Sequence, residues 1–137
     1  MGHFHIDCQV INIRRSLKRV KVSNLLVDTG SEFTWVPEDL LMQAGIRVEK
    51  KDVPFQMANG QIITRSTGYA IFKTPQFETV DEVVFGQTGD LRLLGARTLE
   101  GFGALIDARH KRLVAAGPNP AATLGTRAWM TQTPDRR

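Results

Sequence analysis

The sequence predicts a mainly β fold, either a barrel or a sandwich, with one or two short helices. Apolar and polar residues alternate in several short segments, and turn-forming residues separate these segments at intervals of roughly ten residues. No long helical pattern lies between the segments, which argues against a parallel α/β sheet. We therefore expect one β domain spanning residues 1–117.

The first half of the chain predicts strands, a basic loop and a short helix. An alternating strand begins near Phe4, and after the basic loop a second strand, VKVSNLLV, runs up to Asp28. Pro37 is expected in the first turn of a short helix, with acidic residues close behind it. Gly45 is expected to end that helix.

The second half of the chain predicts two hairpins. The segment FQMANGQIITRSTGYAIF has Asn59-Gly60 near its centre, a strong hairpin signal between β-rich runs. The strand FETVDEVVFG follows, and then an apolar strand ends at Gly95 before a second short helix. The segment ALIDARHKRLVAAG predicts a hairpin around residues 108–111. Residues 118–137 hold three of the six prolines and are expected to form a flexible tail.

The composition is typical of a soluble globular domain, with 42% hydrophobic and 23% charged residues. The net charge of +4 is modest, and the basic residues are scattered without interleaved aromatic residues. A nucleic-acid-binding β-barrel is therefore only a minor alternative. The single cysteine, Cys8, fits a cytoplasmic location and is expected to be buried. We expect no secretory signal and no membrane contact.

The stretch NLLVDTGS ends an apolar strand on residues suited to chemistry. Asp28 follows three apolar residues, so its carboxylate is expected to be partly desolvated. Gly30 allows a sharp turn, and Thr29 and Ser31 supply hydroxyl groups. D-T-G is a short motif, however, and a simple strand-ending turn would look the same.

Three segments in order resemble the retropepsin family, the retroviral-type aspartic proteases. They are the DTGS turn, the hairpin with Asn59-Gly60 at its tip, and Leu93-Leu94-Gly95 before a helix. The resemblance covers roughly residues 4–117 and implies a closed β-barrel. It also implies that the hairpin is a flap over the substrate, made of Met57, Ala58, Asn59, Gly60, Gln61 and Ile62.

The resemblance implies an aspartic endopeptidase whose catalytic residue is Asp28. Thr29 would hydrogen-bond across a dimer, and Gly30 would permit the turn and offer backbone contacts to the substrate. Ser31 would donate a hydrogen bond to the outer oxygen of Asp28. Because such a bond stabilises a charged carboxylate, activity is expected at acidic pH. No metal and no organic cofactor is implied.

A homodimer is also expected on chemical grounds. Carboxylate-catalysed peptide hydrolysis needs two carboxyl groups, one to activate water and one, protonated, to polarise the carbonyl. The sequence contains one D-T-G. A two-fold dimer would bring two copies of Asp28 together around an extended peptide substrate.

Other interpretations stay open at this stage. A non-catalytic retropepsin-like domain for dimerisation or peptide binding would carry the same segments. His3 and His5 lie two residues apart but make only half of a metal site. Viral enzymes place an arginine directly after the apolar-apolar-Gly element, whereas this chain has Arg97 one residue later, so a Glu32–Arg97 pair stays an open alternative. Asp81 is assigned to a turn, and Trp35 is expected to pack in the core or the pocket wall.

Overall fold

The computed structural model describes residues 3–121, which form a ring of strands with two short helices. The prediction of a mainly β fold is therefore confirmed. In chain order the elements are β1 (His5–Ile11), β2 (Arg19–Val27), β3 (Thr34–Pro37), α1 (Glu38–Gln43), β4 (Lys50–Gln56), β5 (Ile62–Lys73), β6 (Glu78–Gly86), β7 (Leu93–Leu94), α2 (Ala96–Phe102), β8 (Ala104–Asp107) and β9 (Arg112–Ala115). Most of the predicted tail lies outside the described residues.

The ring closes through four antiparallel and two parallel strand pairs. β1 pairs with β2, β2 runs parallel to the short β7, and β7 pairs with β3. β3 runs parallel to β6, β6 pairs with β5, and β5 returns to β1. β4 pairs with β5 alone and forms a hairpin at the edge. β8 and β9 form a separate two-stranded sheet.

The core lies inside this ring and is almost entirely apolar. Its largest fully buried side chains come from six strands and α1, which explains why alternating patterns were visible in the sequence. They include Phe72, Leu25, Leu41, Leu94, Val10, Val22, Val36 and Val83. Cys8 is 2% exposed, and burial raises the pKa of its thiol to about 12. The prediction of a buried cysteine is confirmed.

The segment after the DTGS turn differs from the prediction. Residues 34–37 form strand β3 before the helix begins, and Pro37 occupies the N-cap position instead of the first turn. β3 is only four residues long and is buried between β6 and β7, so it lacks the alternation that marks a half-buried strand. Gly45 follows the helix with a φ of 69° and ends it as expected.

The predicted hairpin is confirmed between β4 and β5. The N–H of Met57 donates to the carbonyl of Gln61 at 2.8 Å, which closes a three-residue loop. Gly60 has a φ of 85°, so the expected positive φ at this glycine is present. Neither helix within residues 3–121 is long and apolar enough to cross a membrane.

Candidate active site

Strands β2 and β7 together position Asp28. Val27, the last residue of β2, pairs with Leu94 of β7, and the N–H of Asp28 then donates to the Leu94 carbonyl at 3.0 Å. The Asp28 side chain is half-buried. The apolar strand therefore delivers the carboxylate to the surface of the ring, at the point where pairing with β7 ends.

The DTGS turn folds back on its own first residue. The N–H of Gly30 donates to Oδ1 of Asp28 at 2.9 Å, and the N–H of Ser31 donates to the Asp28 carbonyl at 3.2 Å. A backbone N–H held on a carboxylate oxygen restricts the rotation of the side chain. Thr29 is exposed, and its side chain makes no hydrogen bond to any residue in the range 3–121.

The expected hydrogen bond from Ser31 to Asp28 is replaced by another one. The Ser31 hydroxyl donates to the carbonyl of Phe33 at 2.8 Å. A hydroxyl has one hydrogen, so it has none left for the carboxylate in this arrangement. Ser31 therefore stabilises the turn internally. The expectation of activity at acidic pH, which depended on a bond from Ser31 to Asp28, loses its structural basis.

A close backbone crossing locks the turn onto the apolar-apolar-Gly element. The N–H of Ala96 donates to the Ser31 carbonyl at 2.8 Å, and the N–H of Arg97 donates to the Glu32 carbonyl at 3.1 Å. A Cβ on Gly95 would lie 2.4 Å from the carbonyl oxygen of Phe33. Glycine is required here because the two backbones approach too closely for a side chain.

A buried chain of hydrogen bonds continues behind this crossing. The N–H of Gly95 donates to Oγ1 of Thr34 at 2.9 Å, and the Thr98 hydroxyl donates to Oδ2 of Asp81 at 2.8 Å. The two threonine hydroxyls are also bonded to each other, and because the Thr98 hydrogen is already used, Thr34 is the donor. Asp81, which lies in β6, was wrongly assigned to a turn: it anchors α2 instead.

Arg97 contacts a different carboxylate from the one considered in the sequence. Its guanidinium lies 3.9 Å from Oε1 of Glu82 and stacks 4.7 Å from the ring centre of Phe33. Within residues 3–121 there is no ion pair between Arg97 and Glu32. Glu82 is 5% exposed and also lies 3.3 Å from Nζ of Lys50, whose pKa it raises.

A groove of about 710 Å³ opens directly above Asp28. Three aromatic rings form one wall: Phe55 packs edge-on against Phe33 and Trp35, with ring centres 5.3 and 5.1 Å apart. The groove is lined by residues 28, 30–33, 35, 53–58, 89–91 and 93. It therefore joins the DTGS turn, the hairpin strand β4 and the loop before β7.

A partly buried ion pair fixes the hairpin to the groove wall. Nε of Arg65 lies 2.8 Å from Oδ2 of Asp90, and Nη2 lies 2.9 Å from Oδ1. Both side chains are less than one-fifth exposed. This two-point contact holds β5 against the loop between β6 and β7, and the bonds from Arg65 lower the pKa of Asp90.

The structure brings together most of the residues named from the sequence. Asp28, Gly30, Ser31, Met57, Ala58 and Leu93 line one groove, and Leu94 and Gly95 support it from behind. Residues 59–62, at the tip and on the outer arm of the hairpin, do not line the groove in the single chain. Residues 3–121 contain no cluster of three or more His, Cys, Asp or Glu suited to a metal ion.

Sequence reasoning missed the Arg65–Asp90 pair and most of the aromatic wall. Only Trp35 was noted as a residue of the core or pocket wall. Phe33 and Phe55 are half-buried, and Phe55 lies between the exposed Pro54 and Gln56. A half-buried aromatic position in a strand pattern does not distinguish a groove from a core.

Comparison with known protein families gives one match. A family model described as "Aspartyl protease" matches residues 16–96. The matched range contains the DTGS turn, the hairpin and the Leu93-Leu94-Gly95 element. No match to the chain was found among curated proteins or among solved structures.

Proposed function

The chain belongs to the aspartyl protease family, and from this premise we propose that it is an aspartic endopeptidase that acts as a homodimer. The observation that carries the proposal is the position of Asp28. Its half-buried carboxylate stands at the base of an open groove, is held by the N–H of Gly30, and is followed by a turn locked to Gly95. A rigid carboxylate facing a peptide-sized groove is what hydrolysis by activated water needs.

In the proposed reaction, two copies of Asp28 share one proton across a two-fold axis. The ionised carboxylate removes a proton from a water molecule, which then attacks the peptide carbonyl carbon. The protonated carboxyl group of the other subunit polarises the carbonyl oxygen. Two carboxylates so close together cannot both be ionised easily, so the pair titrates as a unit.

The exposed Thr29 supports a second copy of the chain as the partner. Its hydroxyl has no acceptor within residues 3–121, although it lies in a turn in which the other hydroxyl is bonded. In the proposed dimer it bonds to the turn of the other subunit. The single chain supplies one copy of Asp28, one β4–β5 hairpin and one groove wall, so the partner completes the site.

The groove favours an extended peptide with a bulky apolar side chain near the scissile bond. The aromatic wall of Phe33, Trp35 and Phe55 provides apolar surface close to Asp28. Among residues 3–121, no strand pairs with the outer edge of β4, so its backbone groups there can pair with a substrate strand. The hairpin then acts as a flap that closes over the bound peptide.

The proposal is tested by comparing the wild-type protein and Asp28→Asn in the hydrolysis of a diverse peptide library. We expect the wild-type protein to cleave peptides with apolar residues at the cut site. The kcat/KM of Asp28→Asn should be lower by at least about 10³-fold, because the variant lacks the carboxylate that activates the water. Asp39→Asn, in the exposed first turn of α1, is the matched control and should keep full activity.

Two outcomes would contradict the proposal. Equal cleavage by wild-type protein and Asp28→Asn would place the chemistry elsewhere. Binding of library peptides without cleavage by the wild-type dimer would favour the alternative, a non-catalytic domain for dimerisation or peptide binding.

A further inference from the structure

A second groove, of about 640 Å³, lies on another part of the surface. We call it the basic groove, because Arg14, Arg15, Lys18 and Arg47 line it with only one carboxylate, that of Glu49. It is formed by the β1–β2 loop, the segment after α1 and the outer face of β5 and β6. None of its residues lines the groove at Asp28.

Most of the positive charge in the basic groove has no counter-charge. Arg47 is paired with Glu49 at 3.6 Å. For Arg14, Arg15 and Lys18, no carboxylate of residues 3–121 lies within 4.0 Å. The net charge of the whole chain is +4, so a large part of the excess is concentrated at this one place. A focused positive potential attracts an anionic partner.

The loop that carries these cations is held firmly in place by one side chain. The Asn12 amide donates to the carbonyls of Ala44 and Gly45 at 3.1 and 2.9 Å, and its oxygen accepts from the N–H groups of Arg14 and Arg15 at 2.9 and 3.0 Å. The charges are therefore presented by a pre-organised loop, which reduces the entropy lost on binding. The backbone donors are already used, so the arginine side chains remain to contact a ligand.

Exposed apolar side chains lie between the cations. Ile13, Tyr69 and Val80 are 48%, 40% and 57% exposed, and all three line the basic groove. A partner that covers them must carry apolar groups as well as negative charge. One aromatic ring is too few for a row of stacked bases, so this mixture fits an acidic polypeptide better than a nucleic acid.

The chain segment from residue 49 to residue 53 joins the basic groove to the groove at Asp28. Glu49 lines the basic groove and Val53 lines the other one, and the two residues are separated by at most about 13 Å of extended chain. A substrate that pairs with β4 and continues past the catalytic groove reaches the cations after a few residues. The two grooves therefore suit different parts of one polypeptide.

We propose that the basic groove is an exosite that binds an acidic segment with interspersed apolar residues, located a few residues from the scissile bond of a protein substrate. This inference rests on the proposed function, since it assigns the groove to the substrate of Asp28. The exosite contributes to binding of the substrate and takes no part in the chemical step. It therefore lowers KM and leaves kcat unchanged.

Binding is tested first, in full-length Asp28→Asn protein, so that hydrolysis plays no part. The probes are a fluorescein-labelled peptide of alternating Glu and Leu, the same peptide with Lys for Glu, and a single-stranded oligonucleotide. We expect the Glu peptide to bind, and Arg14→Glu/Arg15→Glu to weaken its affinity at least about tenfold at low salt. The matched control, Arg109→Glu/Lys111→Glu in the exposed β8–β9 turn, should change it less than about twofold.

Three outcomes of the binding measurement would overturn the proposal. They are no binding of the Glu peptide, equal weakening by both double variants, and tighter binding of the oligonucleotide than of the peptide. The side chains of Arg14 and Arg15 make no hydrogen bond within residues 3–121, so the double variant should stay folded. Thermal unfolding of each variant checks this point.

Kinetics then separates the exosite from the proposed function. A cleavable peptide is compared with the same peptide extended by the Glu-Leu segment, using otherwise wild-type protein. The extension should lower KM about tenfold, and Arg14→Glu/Arg15→Glu should remove that gain while kcat stays the same. An unchanged KM would overturn the exosite. Peptide binding without cleavage of any substrate would instead overturn the proposed function and leave the basic groove as a peptide-binding surface.

Discussion

At the scale of single residues, the active-site turn depends on how closely two backbone segments approach each other. The turn after Asp28 and the segment around Gly95 exchange hydrogen bonds, and no space remains between them for a side chain at position 95. These bonds hold the turn in place, and within it the N–H of Gly30 donates to Oδ1 of Asp28. Geometry at this one crossing therefore affects how the Asp28 carboxylate is aligned.

Replacement of Gly95 by alanine should damage both stability and activity. The added Cβ would lie 2.4 Å from the Phe33 carbonyl oxygen, which belongs to backbone that cannot rotate away. We expect a loss of about 3 kcal/mol in the free energy of unfolding, at the upper end of overpacking effects. Chemical denaturation measures this loss, and kcat/KM should fall in the fraction of protein that is still folded.

Gly103→Ala is the matched control for that substitution. Gly103 has a φ of 66°, and an added Cβ would meet nothing within 4 Å, so only backbone strain of about 1 kcal/mol is expected. If both variants lose the same stability, the crossing at Gly95 is not as tight as described.

At the scale of secondary-structure elements, the β4–β5 hairpin is exposed at its tip and is fastened below the tip by an ion pair. The Arg65–Asp90 ion pair joins β5 to the loop that lines the groove, and both side chains are mostly buried. Beyond this point the hairpin tip around Asn59 and Gly60 contacts little else and is exposed. We therefore expect the hairpin to open for a polymer substrate between the ion pair and the tip, while the base of the hairpin stays in place.

Asp90→Asn should remove a contribution to stability that depends on pH. Arg65 lowers the pKa of Asp90 in the folded state, so the contribution is fully present above the unfolded value of about 3.9 and is lost as the pH falls through the folded value. At neutral pH we expect Asp90→Asn to lower the free energy of unfolding by about 1–3 kcal/mol, because Arg65 is left without its partner. Thermal unfolding at several pH values measures this difference.

The difference between wild type and Asp90→Asn should shrink below about pH 4. Glu49→Gln, which breaks the exposed pair with Arg47, is the control. It should lower the free energy of unfolding by at most about 1 kcal/mol. A constant difference at all pH values would show that Asp90 acts through packing instead of charge.

Gly60→Val should impair the flap while leaving the fold intact. Gly60 has a φ of 85° and no neighbour within 4 Å of an added Cβ, so a β-branched residue strains only the local backbone. We expect kcat/KM to fall several-fold, with little change in dimerisation, because the tip must close over the substrate. Gly60→Asn tolerates a positive φ and should retain more activity. Full activity in Gly60→Val would show that the hairpin is not a lid.

Elements with a periodic or turn signal could be predicted from the sequence. The alternation around Cys8, the Asn59-Gly60 turn and the apolar run before Asp28 all gave correct elements, because each pattern reflects local chain geometry. Gly45 likewise marked the end of a helix by its positive φ. The predictions of β1 and of the β4–β5 hairpin therefore followed from local rules.

Contacts between distant residues could not be predicted in this way. Thr34 and Thr98 are 64 positions apart, and neither residue type indicates a buried hydroxyl pair. The choice of Ser31 between Asp28 and the Phe33 carbonyl depends on the exact path of the turn. Such bonds are decided by tertiary packing, which a single sequence does not display.

At the scale of the whole molecule, the described chain supplies half of the proposed active site. It contains one copy of Asp28, one β4–β5 hairpin and the groove that joins them, and its Thr29 is exposed. A second copy related by a two-fold axis would supply the other half with the same residues. The central claim is therefore that one Asp28 from each of two subunits forms a single catalytic unit.

Mixing wild-type and Asp28→Asn subunits tests this claim most directly. The two proteins are dissociated, mixed in varied ratios at constant total concentration, re-associated, and assayed on one peptide. If each site needs both carboxylates, activity should fall with the square of the wild-type fraction, to about one quarter in an equal mixture. A linear fall, to about one half, would mean that each subunit works alone and would contradict the account.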